Sequence, residues 1–138
     1  MLLCDAAESV NGKLYILGGG WSQVLMPDAP INMALAVKIE VPWDQANDPH
    51  TVAATLLDHD GNIVEIAGPG GEPIPVRNEV KIETGRPPGL MPGTSLDAPL
   101  VFNFQGVPLP ADGYVWELKV DDQPRAHAAF RVGQPTRR

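Results

Sequence analysis

A chain of 138 residues with 15 prolines and 14 glycines has room for one hydrophobic core. Turn formers at well above the usual roughly 12% predict many turns and few long helices. Ten Lys and Arg against 17 Asp and Glu leave a formal charge of −7, and the scattered cations exclude a phosphate-backbone partner, whose affinity comes from clustered Lys and Arg.

Alternation with a period of two, not the 3.6 of a helix, runs through most of the chain and marks strands. Leu2 to Ala6 opens as a strand in which Cys4 shares its parity with Leu2 and Ala6, so a buried structural thiol is predicted. After the turn at Asn11-Gly12, Lys13 to Leu17 forms a second strand, which Trp21 to Leu25 would lengthen. Between them stands Gly18-Gly19-Gly20-Trp21, which looks like a nucleotide-binding loop. The third glycine of a dinucleotide fingerprint would fall at position 23, which is Gln23, and Pro27 blocks the helix that would carry the phosphate. The Gly-Lys-Ser/Thr of a phosphate loop is missing too. The glycines are therefore expected to permit a bulge or a close backbone crossing, with Trp21 covering one end of the core.

Leu35, Val37, Ile39 and Val41 share a face opposite Ala34, Ala36, Lys38 and Glu40, a strand that Pro42 stops. Trp43 to Asn47 reads as the one short helical turn. Val52 to Leu57 and Ile63 to Ile66 read as a hairpin across Asp58-His59-Asp60-Gly61-Asn62, where Asp60-Gly61 supplies the positive φ angles of a tight turn. Gly68 to Pro75 is a Pro/Gly loop, after which Val76, Val80 and Ile82 alternate with Arg77, Glu79 and Lys81 and leave Asn78 polar at an inward position. Arg86 to Gly93 is a second such loop. Leu100, Phe102 and Phe104 mark the next strand. Tyr114, Trp116, Leu118 and Val120 form a core face, and beyond the turn at Asp121 to Pro124 so do Ala126, Ala128, Phe130 and Val132, closing a hairpin. Arg137 and Arg138 are expected to be a frayed tail.

Strands divided by turns, without intervening helices, predict an all-β fold: an antiparallel two-sheet immunoglobulin-like β-sandwich of Greek-key character, with about eight or nine strands. Leu109-Pro110-Ala111-Asp112-Gly113-Tyr114 sharpens this, because it is similar to the tyrosine corner, in which the hydroxyl bonds back to upstream backbone. Trp116 stands where the second cysteine of antibody domains would. One domain over residues 1–138 is expected. Met1-Leu2-Leu3-Cys4 reaches Asp5 too soon for a secretory signal, and no apolar run approaches the roughly 20 residues that span a bilayer, so a cytoplasmic protein with no membrane partner is expected.

No catalytic constellation emerges. Asp58-His59-Asp60 with Asp121 and Asp122 invites a hard cation, but the calcium-loop spacing is not met. His50, His59 and His127 lack zinc-site spacing, Gly20-Trp21-Ser22-Gln23-Val24 lacks the closing glycine of a nucleophile elbow, and Ser95 has no evident base. The expectation is a non-enzyme without metal or cofactor. Apolar residues on short loops are the candidate partner contacts: Trp43 just after a strand-stopping proline, and Leu90 and Met91 between prolines.

The chain resembles a family of small uncharacterised bacterial β-sandwich proteins, a domain of unknown function. Its members open with a short strand containing Ala or Asp and then Gly-Lys-Leu-x-hydrophobic-Leu-Gly-Gly-Gly-Trp. Here these are Asp5-Ala6-Ala7 and Gly12 to Trp21, and the similarity continues through Gly85 to Gly89, Pro108-Leu109-Pro110, Gly113-Tyr114 and Phe130-Arg131-Val132. The resemblance implies the architecture and no activity, since fold does not name function. The expected function is protein–protein interaction, self-association or a structural role, the alternative being a small-ligand or carbohydrate site that uses Trp43 or Trp21 as a stacking platform.

Overall fold

Apart from one 3-10 turn at Trp43–Gln45, every regular element is a β-strand in the computed structural model, which describes residues 1–134. In chain order these are β1 (Leu2–Val10), β2 (Lys13–Gly19), β3 (Gln23–Val24), β4 (Pro30–Val41), β5 (His50–Leu57), β6 (Glu65–Ala67), β7 (Pro73–Pro75), β8 (Arg77–Ile82), β9 (Leu96–Pro108), β10 (Asp112–Val120) and β11 (Gln123–Val132). They form a four-stranded sheet in the order β2-β1-β4-β9, a five-stranded sheet in the order β3-β11-β10-β5-β8, and a two-stranded ribbon of β6 and β7. All pairings are antiparallel except β3 with β11. No helix among the described residues is long and apolar enough to cross a membrane.

Period-two patterning builds the core. Met33, Leu35 and Val37 of β4 and Phe102 of β9 join Val52, Ala54 and Leu56 of β5, Tyr114, Trp116 and Leu118 of β10, and Phe130 and Val132 of β11 in one buried cluster. Successive side chains point to opposite faces, so each strand lends one parity to the space between the two large sheets. Trp116 is fully buried, and the Phe104 ring lies 4.3 Å from it between centroids. At the start of β10 the Tyr114 hydroxyl donates to the Pro110 carbonyl at 2.7 Å, the corner bond that Leu109 to Tyr114 predicted.

The structure differs from the sequence reading in several places. Eleven strands are present among the described residues, not eight or nine, because short strands carry too few residues to show a period. Gly68 to Pro75 is not all loop: Gly68 to Gly71 turns a hairpin and Pro73–Pro75 pairs with β6, Ile74 facing Ile66. Ile63 to Ile66 therefore does not pair along β5. Only Ile63 bridges to Leu57, and β8 takes the place beside β5. In the turn before it, Gly61 alone has positive φ, at 80°, while Asp58 Oδ1 accepts the Asp60 and Asn62 N–H groups. Asn78 does sit on the inward face opposite Ala54, but β8 is an edge strand, so its side chain stays exposed and accepts the Glu79 N–H at 2.8 Å. Arg137 and Arg138 lie outside the described residues.

Candidate functional site

The chain enters the fold through the β1–β2 hairpin. Asn11 and Gly12 have φ of 51° and 75°, the pair of positive angles that a two-residue type I′ turn requires. Such a turn makes its flanking residues, Val10 and Lys13, a hydrogen-bonded pair, and the register then makes Glu8–Tyr15 and Ala6–Leu17 hydrogen-bonded pairs as well. Leu14 and Ile16 lie in the intervening pairs, so their N–H and C=O groups point away from β1. Among the described residues, no strand lies on that side of β2.

Only Leu2, Leu3 and Cys4 of β1 pair with β4. The distal half of the hairpin instead lies across the outer face of the four-stranded sheet. Ala7 and Leu14 pack there on Cys4, Ala34 and Ala36 beside Val101, and the Ser9 hydroxyl donates to Pro99 O at 3.3 Å. Ala34 and Ala36 take the outward parity of β4 because only small side chains let a hairpin settle on that face. Cys4 is buried under it with its thiol on the Ala34 carbonyl at 3.4 Å, and burial pushes its pKa up, as suits a structural thiol.

The glycine run then moves the chain between sheets. Gly18 has φ +61° opposite Asp5, and a Cβ there would run into the Asp5 carboxylate. Gly20, at φ +85°, donates to Leu3 O, and Trp21 drops against the core with its ring edge-to-face on Phe130 at 5.8 Å. Residues Trp21 to Leu25 do not lengthen β2. Gln23 and Val24 form β3, parallel to β11 in the opposite sheet.

This route leaves the other face of β2 uncovered. On that face Tyr15 is 57% exposed and Leu17 71%, and Ile16, on the Leu14 face, is itself 42% exposed, on a strand whose residues Leu14 to Leu17 carry no charge. A groove of ≈ 520 Å³ runs beside it, lined by Tyr15, Ile16 and Leu17 with Ala6, Ala7, Asn103 and the carboxylate-bearing Glu8. Of the other edge strands, β8 alternates Arg77, Glu79 and Lys81 and β9 carries Asp97, Pro99 and Pro108, features that discourage pairing, while β3 covers β11 only at Arg131 and Val132. Sequence reasoning missed this edge. The available signal was that Leu14, Tyr15, Ile16 and Leu17 are apolar at both parities, where a half-exposed strand should alternate.

The residues singled out by the sequence lie elsewhere. Trp43 is half-buried in the 3-10 turn beneath the Arg86 guanidinium, whose carbon lies 4.3 Å from the ring centroid and whose nitrogens donate to Trp43 O at 3.2 and 2.7 Å. Arg86 thereby ties the Arg86 to Gly93 loop to the turn. Leu90 is half-buried on that loop, whereas Met91 is 77% exposed. Arg86 lies over one face of Trp43, and Trp21 packs edge-to-face on Phe130 against the core.

Two histidine–carboxylate pairs occur. His59 Nδ1 lies 2.6 Å from Asp112 Oδ2, which raises the His59 pKa. Asp112 is held low, first by the Gly113 N–H and then by His59. His50 Nδ1 lies 2.7 Å from Asp121 Oδ2, and Asp121 Oδ1 accepts the Thr51 N–H, so hydrogen bonds from both lower the Asp121 pKa. This second pair lines a cleft of ≈ 510 Å³ at one end of the sheets, with Ile39, Val41, Val120 and Arg125, and His50 Nε2 is buried there without a hydrogen-bond partner. No group of three or more residues that could hold a metal ion occurs among the described residues.

The chain belongs to a family of unknown function (DUF6941), which it matches over residues 1–133. No curated protein matches it, and no solved structure does.

Proposed function

We propose that this chain is a non-enzymatic binding module that accepts a β-strand from another polypeptide along the free edge of β2. The carrying observation is that β2 combines outward N–H and C=O groups at Leu14 and Ile16 with exposed apolar side chains at Tyr15 and Leu17. An added strand would hydrogen-bond the backbone and cover those side chains, which is how edge strands recognise extended segments. The segment that fits is apolar opposite Leu14 to Ile16, because a charge buried there would find no partner. Trp43, Leu90 and Met91 become a secondary contact region in this reading.

The frame that presents the edge is, on the same reading, an immunoglobulin-like Greek-key sandwich. The order β3-β11-β10-β5-β8, β3 parallel to β11, and the Tyr114 corner all support it. Gly12 to Trp21 acts as the family's structural signature, building both the free edge and the crossing to the second sheet. A buried free thiol suits a reducing cytoplasm.

Hydrogen–deuterium exchange tests the site. Binding of the partner strand is expected to slow the Leu14 and Ile16 amides, and slowing confined to residues 86–95 would move the site to the loop, where Leu90→Glu with Met91→Glu should then abolish it. A small-ligand reading is favoured by the cleft at His50. It requires a His50→Ala variant to lose ligand-induced thermal stabilisation while β2 exchange stays unchanged.

A further inference from the structure

We propose that the strand β2 receives is the β2 of a second copy of this chain, paired antiparallel about a two-fold axis through Tyr15. This rests on the reading of the β2 edge above.

The outward hydrogen-bonding groups limit the register. Antiparallel strands form their hydrogen-bonded pairs between outward-pointing residues, so Leu14 and Ile16 of one copy must meet Leu14 or Ile16 of the other. Centring on Ile16 would place Leu14 against Gly18, whose φ of +61° takes it out of extended geometry. Centring on Leu14 would run Ile16 against Gly12 in the turn. Centring on Tyr15 pairs Leu14 with Ile16 of the other copy twice over, giving about four backbone hydrogen bonds between chains. Tyr15 then faces its own copy in a non-hydrogen-bonded pair, where side chains approach most closely.

Charge favours this occupant. At −7 two copies repel in general, yet this register sets no like charges opposite one another. Lys13 faces Leu17 of the other copy, and its ammonium can reach diagonally to the face of the other Tyr15, which attracts a cation. Glu8, beside Tyr15 on β1, is kept about 14 Å from its symmetry mate by the two intervening strands, beyond the roughly 8 Å Debye length. A two-fold pair also satisfies both free edges at once, where a foreign strand would leave its own far edge open.

The test is a charge swap at Leu17, 71% exposed, so that folding is undisturbed. Leu17→Lys puts a cation opposite Lys13 twice per dimer and should raise the dimer Kd at least about tenfold in light scattering from about 1 to 200 µM. Leu17→Glu puts an anion opposite Lys13 and should weaken the dimer less, although it makes the chain more negative. Equal effects, or a larger one from Leu17→Glu, would overturn the register. Oxidation of Tyr15→Cys should give a covalent dimer, while Leu17→Cys, four positions out of register with its mate, should give at most about a tenth as much. A wild-type chain that stays monomeric and a Tyr15→Cys chain that does not crosslink would overturn the second-copy proposal. A synthetic peptide of residues 13–19 then separates the two readings. Its binding with protection of Leu14 and Ile16 leaves the β2 edge a strand acceptor, and its failure to bind removes both.

Discussion

Gly18→Ala tests why three glycines stand in a row. At φ +61° an alanine pays the left-handed penalty of about 1–2 kcal/mol, and its Cβ would strike the Asp5 carboxylate, which must leave its rotamer at about 0.5–1.5 kcal/mol more. The expected loss is about 2–3 kcal/mol. Gly20→Ala makes the same backbone demand at φ +85°, but its nearest neighbour, Leu2 Cδ1, is 4.0 Å away, so it should cost only about 1 kcal/mol. Urea unfolding reads the difference. With a slope of about 2 kcal/mol/M, Gly18→Ala lowers the midpoint by about 1 M or more and Gly20→Ala by about half as much. Asp5→Ala in the Gly18→Ala background should return about 1 kcal/mol, a coupling that a double-mutant cycle isolates. Equal losses at Gly18 and Gly20, or no recovery from Asp5→Ala, would refute the account of the bend.

Tyr114→Phe removes the 2.7 Å bond to Pro110 and keeps the ring in the core, so a loss of about 1 kcal/mol, seen as a few degrees in Tm, is expected. Asp121, held below its ordinary value by His50 and Thr51, lends stability that is complete above its unfolded pKa near 3.9 and is lost as pH falls through its lower folded value. Melts between about pH 2 and 6 should therefore steepen downward below about pH 4, and Asp121→Asn should flatten that slope. Cys4 should resist iodoacetamide in the native protein and react only at the rate of unfolding, because its thiol is buried and its pKa raised. Fast labelling of a folded sample would show that the hairpin does not cover it.

Much of the frame is legible residue by residue. The inward parities of β4, β9, β10 and β11, the helical turn at Trp43, the hairpin turn at Asp121 and the Tyr114 corner follow from local pattern, since each needs only the period of a strand or the chemistry of a turn. The candidate site was less legible. Leu90 and Met91 stand out by their loop setting, but whether a loop residue is covered depends on where the loop lies, and Trp43 is covered on one face by Arg86 from 43 positions away. The β2 edge does not stand out in the sequence, because apolar residues at both parities also describe a strand buried on both faces.

The sequence by itself determined most of the long strands, the inward face of β4, β9, β10 and β11, and that Gly18 to Trp21 bends and brings Trp21 onto the core, whereas in β1 it is Leu3, not the parity of Leu2 and Ala6, that enters the core. These are properties of side-chain size, φ freedom and alternation, which act within a few residues. Tertiary structure alone decided that β1 pairs with β4 through only three residues, that its far half crosses onto Ala34 and Ala36, and that Gln23 and Val24 join the opposite sheet. Those outcomes depend on which distant strands compete for one edge. They are also what leaves Leu14 and Ile16 with backbone groups facing outward.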